Sequence, residues 1–176
     1  MNSIRFFILI FLFLVVLLSC SKSENAGYTD GASGKVEIYL LSKTELVSGR
    51  CEVDKAKSIV DSKPIITNND IIAYHSAENE FEVNATAFQR IIGLSDKTAF
   101  AVTLNREVIY YGIYKPFISS SSCDNSITMS TLTYNINAFR LKMALGYPGL
   151  LQGITVEDLR NHADLMSALE KQGKLK

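Results

Sequence analysis

Two strand-like runs separated by only two residues constrain the fold more than any other feature: Thr98–Leu104 and Glu107–Tyr114 flank Asn105 and Arg106. Both runs are rich in β-branched and aromatic residues, and a two-residue connection is the length of a tight hairpin loop. Such a loop needs backbone in the left-handed region, which asparagine tolerates and arginine adopts at some cost. Pro116 follows the second run. It cannot donate to a ladder and biases Lys115 to an extended conformation, so it ends the strand.

Other segments extend the pattern. Val36–Leu41 reads as a first strand, and Ile71–Tyr74 with Glu80–Val83 as two short strands across a polar turn. Asn84 is placed to cap a helix running through Leu94, in which Phe88, Ile91 and Ile92 fall on one apolar face. Ile127–Thr133 and Ala138–Leu145 read as further strands, the latter alternating Phe139, Leu141, Met143 and Leu145 with Arg140, Lys142 and Ala144. Gly146–Gly149 has the Pro and Gly placement of a type II turn. The Asp54–Val60 segment is assigned a short helix, and Thr155 is expected to cap a helical tail with Val156, Leu159, Ala163, Met166 and Leu169 near one face, ended by Gly173. The sum is an α+β domain: an antiparallel sheet of about five to seven strands, one central helix and a C-terminal helical tail.

The N-terminus predicts a compartment. Arg5 precedes thirteen apolar residues, Phe6–Leu18, and then Ser19 and Cys20. As a helix that run reaches only ~20 Å, short of the ~30 Å hydrocarbon core, so it reads as an export signal rather than a permanent span. Leu17-Leu18-Ser19-Cys20 resembles the bacterial lipobox, which implies cleavage after residue 19, acylation of Cys20 and, with Ser21 next, the outer membrane of a Gram-negative cell envelope. Residues 20–34 are polar and read as a tether of roughly 20 Å r.m.s. span. Lys35–Lys176 is then one domain, attached to the membrane through its lipid.

The chain carries 18 basic and 18 acidic residues, of which the leader holds only Arg5, leaving a mature chain near charge −1. That balance, without a basic run, argues against nucleic acid and against electrostatic docking on a membrane. Once Cys20 is acylated, Cys51 and Cys123 remain in a compartment that permits oxidation, and a disulfide between them is expected, with two free thiols as the alternative. With the distant His75 and His162 they offer none of the paired spacings zinc requires, and no cofactor motif is present.

Candidate chemistry is thin. Glu78, Glu80 and Glu82 share one strand face, readable as a weak calcium or basic-partner surface but more simply as a solvated face opposite Phe81 and Val83. Ser119–Ser122 lacks the elbow motif that positions a nucleophilic serine, and neither histidine has a readable orienting partner, so a hydrolase is the least favoured reading. Tyr110, Tyr111, Tyr114 and Phe117 form the one aromatic concentration, with Tyr110 and Tyr114 on one strand face and Tyr111 on the other; one face packs the core and the other offers a binding surface.

Two resemblances bear on these residues. Pro64–Ile71, the helix carrying Ala87–Ile91 and the Phe100–Ile109 hairpin together resemble the head of the first periplasmic domain of SecD and SecDF, over residues 64–113. It implies an α+β head; the Asn105-Arg106-Glu107 turn, the cysteine pair and the lack of the family's membrane helices set this chain apart, so a translocation function does not carry over. Ser120–Asp124 and Leu145–Leu150 also resemble segments of small lipoproteins of gut-type Gram-negative bacteria, a group that implies no activity. The expectation is a non-catalytic binding module whose partner is another envelope protein or an extended polypeptide, the latter as an accessory to export or envelope folding. An unpaired strand edge beside the tyrosines would favour the polypeptide.

Overall fold

A computed structural model describes residues 34–116, 118–135 and 138–176. The leader, Cys20, the tether up to Ser33, and Phe117 lie outside the described residues. The fold is α+β, with strands β1 (Val36–Lys43), β2 (Ile59–Ile66), β3 (Ile71–His75), β4 (Glu80–Val83), β5 (Ala99–Leu104), β6 (Glu107–Tyr114), β7 (Cys123–Asn135) and β8 (Ala138–Tyr147), and helices α1 (Ala85–Ile92) and α2 (Ala163–Lys171). The strands form one sheet in the order β2-β1-β5-β6-β7-β8-β4-β3.

This sheet corrects the expected one in two respects. It has eight strands, and β6 pairs with β7 in parallel while every other neighbouring pair is antiparallel. The additional strand is β2, a sheet-edge strand whose Asp61-Ser62-Lys63-Pro64 core hides it from any apolar alternation. The helix expected at Asp54–Val60 is instead a turn at residues 55–57, in which Asp54 accepts from Ala56 N at 3.1 Å and Lys57 Nζ at 2.7 Å, followed by the start of β2 at Ile59. The C-terminal helix begins eight residues after Thr155, with His162 at its N-cap, because residues 155–160 form an irregular strap. Strand β8 runs on to Tyr147, and the Tyr147–Pro148 peptide is cis, which the expected type II turn does not contain.

The β5–β6 hairpin matches its sequence. Asn105 (φ 53°) and Arg106 (φ 71°) both take positive φ, the requirement of a type I′ turn. Asn105 also exchanges two hydrogen bonds with the Lys35 backbone, at 2.8 and 2.9 Å, tying the turn to the start of β1.

Strands β2 and β3 lie at opposite ends of the sheet yet are joined by only Thr67–Asp70. A link that short spans at most about 17 Å, whereas eight strands laid flat would separate the end strands by roughly 34 Å. The sheet therefore curls strongly. Asp70 fixes the closure: its carboxylate accepts from Thr67 N (2.9 Å) and Oγ1 (2.8 Å), Asn84 Nδ2 (2.9 Å) and Arg90 (2.6 Å). Asn84 in turn caps α1 by accepting from Ala87 N at 2.8 Å, as its sequence position predicts.

The concave face holds the main core. Ile38, Tyr74, Phe81, Phe100, Tyr110, Tyr114, Met129 and Leu141 pack there with Phe88 and Ile91 of α1 and Leu165 and Leu169 of α2. Phe100 lies across its partner Gly112, whose missing side chain makes room for the ring: a Cβ there would stand 2.3 Å from it. A smaller cluster on the convex face, Val53, Ala99, Ile113 and Cys123, sits beneath the β1–β2 excursion. The Cys51–Cys123 disulfide (Cα–Cα 5.0 Å) staples that excursion to the start of β7.

Both sheet edges are guarded. The C-terminal residues hydrogen-bond along β3, with Tyr74 N and Ser76 N donating to Lys174 O and Lys176 O. On β2, Pro64 interrupts the donors, and Arg90 and Arg106 donate to the carbonyls of Ile65 and Ser62.

Candidate functional site

Strand β6 is paired along one edge and only at its end along the other. It pairs with β5 from Glu107 to Ile113, but with β7 only through Gly112, Ile113 and Tyr114. From Glu107 to Tyr111 its other edge has no strand partner among the described residues. The cause is the route of the chain. After Tyr114 it crosses at Lys115–Ser122 and enters β7 from the convex side, where Cys123 is bonded to Cys51. Two parallel strands thus meet at one end and splay at the other.

A cavity of about 170 Å³ opens in the splay. Tyr110 and Tyr111 of β6 form one wall, and Asn125, Ser126 and Ile127 of β7 a second. Val53 closes it from the convex excursion, and Val156 and Leu159 from the strap before α2. These walls are held in place. Ser126 Oγ donates to Cys51 O at 2.7 Å, and Arg160 anchors the strap by bonding Asp158 (2.6 and 2.8 Å) and Met143 O (3.1 Å). Tyr74 adds a bond from its hydroxyl to Arg160 O at 2.9 Å.

The chemistry of the lining is mixed. The Tyr110 side chain is buried and its hydroxyl makes no hydrogen bond among the described residues. Burial pushes this phenol well above the ordinary tyrosine range, so it stays protonated and offers both a donor and an acceptor. At the mouth stand the exposed side chains of Lys55 and Glu157, neither with an ionic partner among the described residues. Arg50 and Glu52, also at the mouth, pair with each other at 3.5 Å. A broader hollow of about 500 Å³ lies beyond the disulfide, between Leu46–Cys51, Lys97 and Asp124.

The aromatic residues singled out in the sequence divide accordingly. Tyr110 and Tyr114 face the concave core and are buried there, so they present no outer surface; their bulk fills the interior of a curled sheet. Tyr111, pointing the other way, packs half-buried beside the disulfide and lines the cavity. Phe117 lies outside the described residues.

The glutamates also sit differently from a solvated row. Phe81 and Val83 do face the core, but Glu80 on the opposite face is buried, with Arg140 at 3.1 Å and Lys142 at 3.3 Å. Glu82 bonds His75 Nε2 at 2.9 Å and approaches Arg140 at 3.7 Å. The neighbouring strand supplies the cations, which the β4 sequence alone does not reveal. Among the described residues no group of three or more His, Cys, Asp or Glu side chains is placed to hold a metal ion.

Ser119 and Ser121 meet neither histidine. Their hydroxyls bond Asp96 at 3.0 and 2.9 Å, and Asp96 pairs with Lys115, wholly buried, at 2.7 Å. Lys115 Nζ also donates to Ser121 Oγ at 2.7 Å and lies 5.1 Å from the centre of the Tyr147 ring. Burial alone would raise the Asp96 carboxyl, but the bonds from Lys115, Ser121 and Ser119 hold it down to about 2. Lys115 and both serines are thus engaged with Asp96 and with one another, and no histidine stands beside either hydroxyl. The cluster is built to pin the crossing segment before β7. Sequence inspection missed it because Asp96, Lys115 and Tyr147 carry no local motif; the signal is a lysine directly after a core strand.

Among the described residues, no helix is long and apolar enough to cross a membrane. No protein-family model matches the chain, and neither the curated proteins nor the solved structures contain a match to it.

Proposed function

We propose that this chain is a non-catalytic binding domain, held at the outer membrane of the cell envelope through an acylated Cys20, and that it engages its partner at the splay between β6 and β7. The observation that carries this reading is the unpaired Glu107–Tyr111 edge standing over a walled cavity. Main-chain groups without a partner and a buried phenol without a bond are both stabilised when another molecule supplies what they lack. The two end strands of the sheet, by contrast, are covered by the C-terminal residues and by Arg90 and Arg106.

An unpaired strand edge beside the tyrosines also supports the second reading, an accessory to protein export or envelope folding that engages extended polypeptide. The SecD-head resemblance of residues 64–113 belongs to this reading as a proposal about the fold alone.

Site-specific photo-cross-linking in intact cells tests the site. A photo-reactive residue at Lys55, on the mouth, is expected to give a discrete adduct, and one at Lys63, exposed on β2, is expected to give none. The adduct should vanish when Asn125→Phe plugs the cavity. Equal adducts at both positions, or none at Lys55, would overturn the assignment.

A further inference from the structure

Resting on that reading, we infer that the splay takes a short extended peptide, which adds to the free edge of β6 and places one uncharged, polar-tipped side chain in the cavity beneath Tyr110.

Three independent features converge on this ligand. The first is the edge itself. The register with β5 slips between Val108 and Tyr110, leaving Ile109 out of that pairing, and the N–H and C=O groups of Glu107–Tyr111 that do not serve β5 are left to the splay. A second main chain matches such an array, whereas a small molecule satisfies only one or two of its groups. The second is volume. At about 170 Å³ the cavity is close to an engineered cavity of ~150 Å³ that accepts benzene, so it holds one medium-sized side chain and no more.

The third is polarity. The Tyr110 hydroxyl is unbonded and has almost no accessible surface, so it lies behind the cavity lining; an aliphatic side chain would leave it so, while an amide or hydroxyl tip that displaces the lining would satisfy it. A charged tip at depth is disfavoured because the buried part of the lining, Val53, Tyr110, Ser126 and Ile127, carries no charge, the charged lining residues Arg50, Glu52, Lys55 and Glu157 being exposed or half-exposed. Lys55 and Glu157 stand outside at the mouth, where one cation and one anion suit a peptide that is neutral overall or carries both signs. Asn125 and Ser126 add neutral donors and acceptors at the inner rim.

The test uses the full acylated chain in lipid nanodiscs and three fluorescein-labelled pentapeptides, Thr-Val-Xaa-Val-Thr, with glutamine, leucine or glutamate at the centre. Anisotropy is expected to rank the glutamine peptide about five- to tenfold above the leucine peptide, the worth of one hydrogen bond, with the glutamate peptide weakest. N-methylation of alternate peptide nitrogens should weaken binding at least about tenfold on one of the two registers, because strand addition needs those donors.

Tyr110→Phe is the decisive variant. It removes a hydroxyl that serves no partner in the fold, so the melting temperature should hold or rise, while the preference for glutamine over leucine collapses to near unity. A fall of several degrees in melting temperature would show the hydroxyl to be structural and overturn the assignment of its role. Equal binding of parent and both N-methylated peptides would overturn strand addition. If no peptide binds but the Lys55 adduct forms, the peptide inference falls and the binding-domain reading stands; if neither occurs, both fall.

Discussion

Removing the Cys51–Cys123 bridge should cost as much as the largest single apolar truncations in the core. The bond closes a loop with a sequence separation of 72 residues, for which the chain-entropy relation gives about 4 kcal/mol at room temperature. Cys123 is also buried in the convex cluster with Val53, Ala99 and Ile113, so replacing the cysteines by alanine forfeits roughly 1 kcal/mol of packing as well. The Cys51→Ala/Cys123→Ala double variant is therefore expected to lose about 4–5 kcal/mol, equivalent to roughly 10–15 °C in a domain of this size. Urea unfolding followed by far-ultraviolet circular dichroism measures it. The midpoint should fall and the denaturant dependence should steepen, since the uncrosslinked unfolded chain exposes more surface. A loss below about 1 kcal/mol would refute the reasoning, because the unfolded state would then not be limited by the crosslink.

Gly112→Ala should destabilise by about 1–3 kcal/mol, since the new Cβ would meet the Phe100 ring at 2.3 Å and the Ile127 carbonyl at 2.7 Å; a melting temperature equal to the wild type would contradict the packing described. Acid should weaken the fold in a defined window. Asp70, Asp96 and Asp158 all have folded carboxyls below the ordinary value, so the stability they contribute is complete above the unfolded value of ~3.9 and is lost as pH falls through the folded values, reaching about 2 for Asp96. Urea midpoints should decline steadily from pH 5 to pH 2, and Asp96→Asn should flatten the lowest part of that decline; a midpoint independent of pH over this range would count against the carboxylate network.

What the sequence disclosed was what local chemistry decides. The β5–β6 hairpin followed from two apolar runs and a two-residue gap, and α1 from an asparagine ahead of an apolar helical face; both formed where they were expected. Strand β8 likewise showed its alternation, with Leu141 and Met143 buried and Arg140 and Lys142 turned to Glu80. Strand β2 was illegible because an edge strand with Pro64, Lys63 and Asp61 carries no burial signal of its own. The parallel β6–β7 pairing was equally hidden, since it depends on the path of Lys115–Ser122 and on a disulfide that recruits β7 to the convex side.

The site shows the same division. Tyrosines 110 and 111 were conspicuous as residues, but which of them faces the core, and that the edge beside them lacks a partner, are properties of the sheet order. Asn125, Ser126, Val156 and Leu159 reach the cavity from segments far apart in the chain, and nothing local marks them. The cysteine pair was legible from compartment and count, and its consequence for the splay was not.

The claim on which the account turns is that β6 has an open edge from Glu107 to Tyr111 and a closed one from Gly112 to Tyr114. Amide hydrogen exchange on the purified full chain, read residue by residue, measures this directly. The account predicts that, within Glu107–Tyr111, amides directed away from β5 exchange orders of magnitude faster than those of Gly112–Tyr114. Slow, uniform exchange along the whole of β6 would mean that the edge is already paired, and would contradict the account.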